Sequence, residues 1–332
     1  NLIFPKINYE VDGNIFKIEN LVLNKNLDLI NFNKLSVISK LNGNINNNFI
    51  ITNADKNKIN IKGSIFDAKL LVKEFSNKNK NNFFKNISKD IEIDLDKILT
   101  DTDFPLNKFR LIGNIKKGKF EKISAKSEFE ESKYLDIALN KEKNSNFKIL
   151  EVHSDEAKPL INSYKFFNGL NHGNLIYESR FDNKNSKSVL KINDFKLIEA
   201  PAFAKLLTLA DFQGLTDTLK GEGISFDTLV IKFSNDGKTM RIDEIFMIGP
   251  SISILIDGYI EQESGLVSLR GTLVPAKTLN TIISKIPVIG DIVIPKEAGE
   301  GLFGISFKMK GPPGNIKTNI NPIRTVTPRF IQ

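Results

Sequence analysis

The feature that most constrains this chain is a period-two alternation of apolar and polar residues. Ile252, Ile254 and Ile256, for example, alternate with Ser253 and Asp257. Successive side chains of a β-strand point to opposite faces of the sheet, so this pattern is typical of a strand that buries one face. Similar alternation occurs at 267–273, 305–310 and 316–320. The chain is therefore predicted to be mainly β.

Short turn signals separate these runs. They are Asn235-Asp236-Gly237, Glu263-Ser264-Gly265 and Pro312-Pro313-Gly314. Strands divided by such short turns are expected to pair as antiparallel hairpins joined in a meander. In the first half of the chain, residues 59–65 and 111–115 are also strand-like, although the pattern there is weaker.

Two segments in the C-terminal half depart from the β pattern. Pro201–Lys220 places six apolar residues near helical spacing and ends before Gly221 and Gly223. Ala276–Ile289 begins with apolar residues on one helical stripe and then reaches Pro287. Both are predicted to be short amphipathic helices that pack against a sheet, with contact to a membrane as the alternative.

The aromatic residues are almost all phenylalanine, with 25 Phe against 5 Tyr and 0 Trp. Phenylalanine has no polar group, so its ring needs burial or an apolar ligand. The excess of Phe fits either an apolar binding surface or an ordinary core in which Phe and Ile replace Leu and Val.

The net charge is +8 and the calculated pI is about 9.3. The lysines are scattered, with neither an arginine-rich stripe nor the aromatic pattern that stacks bases, so nucleic acid is not an expected partner. The chain has no cysteine, which excludes disulfides, thiol nucleophiles and Cys-ligated metals and is compatible with an oxidising compartment such as the periplasm.

No residue pattern predicts catalysis, a metal or a cofactor. His153 and His172 stand apart, without a second ligand at metal spacing. Residues 299–304 match G-x-G-x-x-G, but an alternating strand follows instead of the helix that a dinucleotide site requires. The acids at 90, 92, 94 and 96 alternate with apolar residues and are expected on one solvated strand face, not in a cleft.

The chain lacks an N-terminal signal pattern, and no uninterrupted apolar run reaches the roughly 18 residues that a membrane span needs. The best candidate, Leu279–Ile294, is broken by Lys285, Pro287 and Asp291. We therefore interpret it as the soluble C-terminal part of a longer protein that is anchored by an upstream segment.

The C-terminal half resembles the C-terminal region of AsmA-like proteins, in the alphaproteobacterial (DUF3971-type) branch of that family. The most specific match is Leu-Arg-Gly-Thr-Leu-Val-Pro-Ala at 269–276, followed by Leu279-Asn280 and Ile-Pro-Val-Ile-Gly at 286–290. Further matching stretches are 212–215, 221–227, 247–251, 258–260, 299–304, 310–312, 321–322 and 327–330. One departure is Pro312-Pro313-Gly314-Asn315, where relatives tend to be acidic.

The resemblance implies an inner-membrane-anchored protein whose bulk lies in the periplasm. Such proteins are similar to bridge-like lipid transfer proteins and form a long, curved, taco-like antiparallel sheet with an apolar inner face. They are implicated in moving phospholipid between the inner and outer membranes and in outer-membrane integrity. The family has no catalytic residues.

Together these considerations predict a β-groove that binds or conducts phospholipid acyl chains without chemistry on the lipid. The candidate groove residues are Leu229, Ile231, Phe233, Ile252, Ile254, Ile256, Val267, Leu269, Ile305 and Phe307. The alternative is a structural module that docks on an envelope protein through an apolar patch near 316–331. The expected domains are an N-terminal β-rich groove segment at 1–149, continuing from an upstream region, and the AsmA-like domain at 150–332.

Overall fold

The computed structural model describes residues 1–53, 55, 57–69, 88–130, 132–161, 169–275, 302–312 and 315–326. Strands dominate these residues, as the period-two pattern predicts. The chain divides into two compact units, Asn1–Asp155 and Glu156–Gln332.

Unit 1 contains eleven described strands. They are β1 (Leu2–Val11), β2 (Asn14–Leu23), β3 (Leu29–Asn31), β4 (Lys34–Leu41), β5 (Asn44–Thr52), β6 (Lys58–Asp67), β7 (Lys89–Leu99), β8 (Leu106–Lys116), β9 (Lys119–Glu128), β10 (Tyr134–Lys141) and β11 (Lys148–Ser154). Strand β2 pairs with β1, β3 and β4, and from β4 onwards each strand pairs with the next.

One pair in unit 1 departs from the antiparallel meander, because β6 and β7 run parallel. Parallel neighbours need a crossover connection of a dozen or more residues. The chain between Asp67 and Lys89 is long enough for such a connection, whereas the hairpins elsewhere use short turns such as Asp12-Gly13.

Unit 2 contains eight described strands, each pairing antiparallel with the next along the chain. They are β12 (Leu170–Phe181), β13 (Ser186–Leu197), β14 (Ile224–Asn235), β15 (Thr239–Ile248), β16 (Ile252–Glu261), β17 (Val267–Pro275), β18 (Leu302–Gly311) and β19 (Lys317–Val326). The predicted mainly β fold, an open and curved sheet of meandering hairpins, is confirmed.

Three helices are described in unit 2. They are α1 (Lys158–Ile161), α2 (Pro201–Leu209) and α3 (Gln213–Lys220). The single helix predicted over Pro201–Lys220 is thus two helices, because Asp211 adopts a positive φ of 61° and breaks the helix. After this break Phe212 donates its N–H to the Leu207 carbonyl, and Thr216 is buried in α3 more fully than Leu215.

The second predicted helix, Ala276–Ile289, lies outside the described residues, as do Leu279–Ile294 and the first three residues of 299–304. In the described part of the chain, no helix is long and apolar enough to cross a membrane.

Candidate functional site

The ten candidate groove residues lie on one face of the unit 2 sheet. Residues directly opposite each other in an antiparallel pair point to the same face, so the strand register fixes this placement. One row crosses seven strands through Leu175, Ile192, Leu229, Met247, Ile254, Leu273 and Ile305. The neighbouring row contains Ile231, Ile245, Ile256, Gly271 and Phe307. We call this surface the unit 2 apolar face.

Most of the candidates on this face are buried. Leu229, Ile231, Ile252, Ile254, Ile256 and Phe307 are between 0% and 7% exposed. Phe233, Val267, Leu269 and Ile305 are half-buried. Six of the ten therefore behave as core residues, and the other four retain accessible surface.

Helix α2 covers part of the unit 2 apolar face. Phe203 of α2 meets Phe226 edge-on, with 6.0 Å between ring centroids, and Phe226 stacks on Phe195 at 5.3 Å. Leu206 and Leu207 of the same helix are also buried. The amphipathic helix predicted to pack against a sheet does so here, by aromatic contacts that stabilise beyond the burial of area.

A cavity of about 200 Å³ lies between α2 and the sheet. It is lined by Phe195, Leu197, Phe203, Lys205, Leu206, Leu229, Ile245, Met247, Ile254, Ile256, Met309, Ile316 and Thr318. Three of the predicted groove residues, Leu229, Ile254 and Ile256, contribute to it. An apolar cavity of about 150 Å³ is large enough to bind benzene, so this volume accommodates part of a hydrocarbon chain.

Unit 1 carries a longer apolar surface that none of the candidate residues represents. Ten apolar residues lie opposite one another across ten strands in a single row. They are Ile7, Ile18, Leu35, Ile51, Ile61, Ile93, Leu111, Ala125, Ile137 and Val152. Leu111 and Ala125 are buried, and the other eight are only half-buried. We call this surface the unit 1 apolar face.

A second row of large side chains extends the unit 1 apolar face. It runs from Tyr9 through Phe16 and Val37 to Phe49. Tyr9 is 55% exposed and Phe16 is 39% exposed, and their ring centroids are 6.3 Å apart. At ordinary strand spacing of about 4.8 Å, the ten-residue row is roughly 40 Å long.

The opposite face of unit 1 is charged. Asp94, Arg110, Lys126 and Asp136 lie opposite one another on successive strands. The Arg110 guanidinium is 2.8 Å from the Asp94 carboxylate, and the Lys126 ammonium is 3.2 Å from that of Asp136. The prediction that the acids of β7 occupy a solvated strand face agrees with these surface ion pairs. The sheet thus separates an apolar face from a charged one.

A cluster of charges borders the unit 1 apolar face. Lys141 and Lys148 lie opposite each other, two positions beyond the apolar pair Leu139 and Leu150. Both ammonium groups contact the Glu121 carboxylate, at 3.3 Å and 3.2 Å. Burial raises the pKa of Glu121, but hydrogen bonds from Lys148 and Lys141 outweigh this effect and hold the pKa below its usual value. Two lysines against one glutamate leave net positive charge at this border.

The histidines and acids that were considered for metal binding or catalysis do not lie together in one site. His153 and His172 are both exposed, on β11 and β12. In the described ranges no group of three or more His, Asp or Glu side chains is placed to hold a metal ion. Glu92 pairs with Lys58 at 2.5 Å, and hydrogen bonding to that lysine lowers the pKa of the carboxyl.

The signal for the unit 1 apolar face was present in the sequence. Ile91, Ile93 and Leu95 alternate with the acids of β7, and Ile59 and Ile61 show the same pattern in β6. Period two identifies these apolar side chains, but it cannot show that Ile91 and Leu95 are buried whereas Ile59, Ile61 and Ile93 remain half-buried. That depends on whether another element packs on them.

Comparison of the chain with protein-family models, curated proteins and solved structures gives no match.

Proposed function

We propose that this chain is a non-enzymatic periplasmic envelope protein that binds phospholipid acyl chains on its apolar β-faces. In this proposal it conducts lipid between the inner and outer membranes and is anchored to the inner membrane by an upstream segment. The resemblance to AsmA-like proteins supports the periplasmic location and the transport of lipid. The observation that carries it is the half-buried ten-residue row of unit 1.

A closed β-sandwich would bury such a row, because two packed sheets interdigitate their inner side chains. Eight of the ten side chains here keep access to solvent. Contact with acyl chains would stabilise the complex by about 0.8 kcal/mol for each buried methylene. The exposed apolar surface is therefore better suited to hydrocarbon than to water.

The length of the row also favours lipid. A bilayer core is about 30 Å thick, so one acyl chain spans about 15 Å. The roughly 40 Å row exceeds this length more than twofold. A lipid could therefore move across several strands without leaving the unit 1 apolar face.

The border charges suit a phospholipid head group. Lys141 and Lys148 lie just beyond Leu139 and Leu150 at one end of these strands. An acyl chain on the apolar rows would place its phosphate near this border. Hydrogen bonds between ammonium and phosphate groups are among the strong ones in proteins.

The test is native mass spectrometry with lipid extraction on the chain purified from bacterial envelope. Ile51 is half-buried on the unit 1 apolar face, whereas its neighbour Ile50 is 41% exposed on the opposite face. We expect copurified phospholipid in the wild type and in Ile50→Lys, and its loss in Ile51→Lys. Circular dichroism must show that both variants retain their strands.

Equal lipid in Ile50→Lys and Ile51→Lys would contradict binding on the unit 1 apolar face. A wild-type chain free of lipid under gentle purification would favour the alternative, a structural module that docks on an envelope protein through the patch near 316–331, of which residues 327–331 lie outside the described residues.

A further inference from the structure

We propose that the cavity beneath α2 binds a single acyl chain of an anionic lipid, and that Lys205 pairs with the head group. This inference rests on the proposed lipid-binding function and specifies the ligand class and the place of one site. The argument depends on three features of the cavity: its lining, its volume and its charge.

The lining is almost entirely apolar. Phenylalanine, leucine, isoleucine and methionine side chains come from α2 and from strands β13 to β16 and β18. Thr318 provides one hydroxyl group, and Lys205 is the one charged side chain that the described lining contains. Apolar walls with a small number of polar groups are typical of ligand sites.

The volume restricts what can enter. Drug-sized ligands occupy pockets of about 300–1,000 Å³, and benzene fits an apolar cavity of about 150 Å³. A cavity of about 200 Å³ therefore takes a segment of one chain, not the two chains of a diacyl lipid.

The positive charge of Lys205 favours a ligand whose head group is negatively charged. It lies on α2 between the buried residues Phe203 and Leu206, and it is itself exposed. Among the described residues it has no ion pair. Its methylene stem can follow the apolar wall while the ammonium group stays in water, which matches an amphiphile with its tail inside and its anion outside.

Lys205 increases the binding affinity of a lipid with an anionic head group, but not that of a lipid with a neutral one. The ammonium group can donate charge-assisted hydrogen bonds to a carboxylate or phosphate. Exposed ion pairs contribute up to about 1 kcal/mol, which corresponds to a difference in affinity of about fivefold. A cationic head group would be repelled.

The experiment measures binding of three probes with the same chain length by isothermal titration calorimetry. The probes are dodecanoate, dodecanol and dodecyltrimethylammonium, each below its aggregation concentration. We expect the wild type to bind dodecanoate about two- to fivefold more tightly than dodecanol, and the cationic probe most weakly. Lys205→Met should reduce the ratio of the dodecanoate affinity to the dodecanol affinity to about one.

Two matched control variants test whether the preference for an anion depends on Lys205 and whether binding occurs in the cavity. Lys220→Met removes an exposed lysine of α3 that does not line the cavity, and it should leave the preference intact. Thr318→Phe fills the cavity and should abolish dodecanoate binding, whereas Asn319→Phe places the same ring on the exposed face of β19 and should not. Thermal unfolding monitors whether each variant is folded.

Equal affinities for all three probes, unchanged by Lys205→Met, would overturn the assignment of an anionic ligand. Binding that survives Thr318→Phe would overturn the cavity as the site. A chain that copurifies with phospholipid but binds none of the probes would also overturn this inference, while leaving the proposed function standing. Absence of both phospholipid and probe binding would overturn the two proposals together.

Discussion

Phe195 of β13 and Phe226 of β14 stack with 5.3 Å between their ring centroids and an angle of 14° between their planes. Phe203 of α2 meets the same Phe226 ring edge-on. A single ring therefore joins the sheet to the helix that covers the unit 2 apolar face. Because Phe226 is only 1% exposed, removal of its ring would leave a cavity.

We expect Phe226→Ala to lower the free energy of unfolding by about 3–5 kcal/mol, the usual range for a buried phenylalanine. Tyr259→Ala serves as the control, because Tyr259 is 38% exposed. Its effect should be smaller by at least about 2 kcal/mol. Urea titration of both variants measures the difference, and equal losses would contradict the role given to Phe226.

Gly271 lies opposite Phe307 on the unit 2 apolar face. A Cβ atom at Gly271 would approach the Phe307 ring to 2.5 Å, so the ring occupies the space that a side chain would need. We expect Gly271→Ala to destabilise the protein by about 1–3 kcal/mol through overpacking.

Gly214 is the matched glycine, since a Cβ atom there meets nothing within 4 Å. It lies in α3, where alanine is the better helix former. Gly214→Ala should therefore stabilise the protein by about 0.4–1 kcal/mol. Thermal unfolding of the two variants should give shifts of opposite sign, and shifts of the same sign would argue against this account.

Burial separates the predicted groove residues into two kinds. Ile254 is 3% exposed and lines the cavity, whereas Leu269 is half-buried on the same face. An isolated carboxylate at Ile254 would lack water and a partner, so Ile254→Asp should cost more than about 4 kcal/mol. Leu269→Asp should cost clearly less, because its carboxylate can reach solvent.

Chemical denaturation followed by far-ultraviolet circular dichroism distinguishes these two variants. If Leu269→Asp destabilises the chain as strongly as Ile254→Asp, then Leu269 belongs to the closed core and is not available to a ligand.

Glu121 should make stability depend on acid pH. Lys148 and Lys141 hold its pKa below the usual value in the folded chain. A lowered folded pKa contributes stability that is present above the unfolded value, about 4.3, and is lost as the pH falls through the folded value. Glu121→Gln should therefore cost on the order of 1 kcal/mol at neutral pH and progressively less below about pH 4.

Unfolding measured from pH 7 to pH 3 checks this dependence. Lys126→Gln is the control, because it breaks a surface ion pair with Asp136. The Lys126 and Asp136 side chains are 77% and 47% exposed, so this substitution should have little effect on stability at any pH. A pH-independent loss in Glu121→Gln would show that its carboxylate contributes packing and not charge.

Much of the fold was predictable because strand formation leaves a local pattern. Ile305 to Lys310 alternate as β18 requires, and the turn at 235–237 joins β14 to β15 as expected. The helix over Pro201–Lys220 was located correctly, but its break was not, since the positive φ of Asp211 leaves no periodic signature. The parallel pairing of β6 with β7 was not predicted, because alternation is the same in parallel and antiparallel strands.

The sequence by itself determined which side chains share a face, since a strand alternates them with a fixed period of two. It placed Ile252, Ile254 and Ile256 on one face of β16, and the acids of β7 on one face of that strand. Only the tertiary structure decided which apolar faces are covered. Phe203 reaches Phe226 from a separate element, and the row from Ile7 to Val152 is assembled from ten strands. Burial depends on such contacts between distant residues, so two faces with the same local pattern differ in their access to solvent and to a ligand.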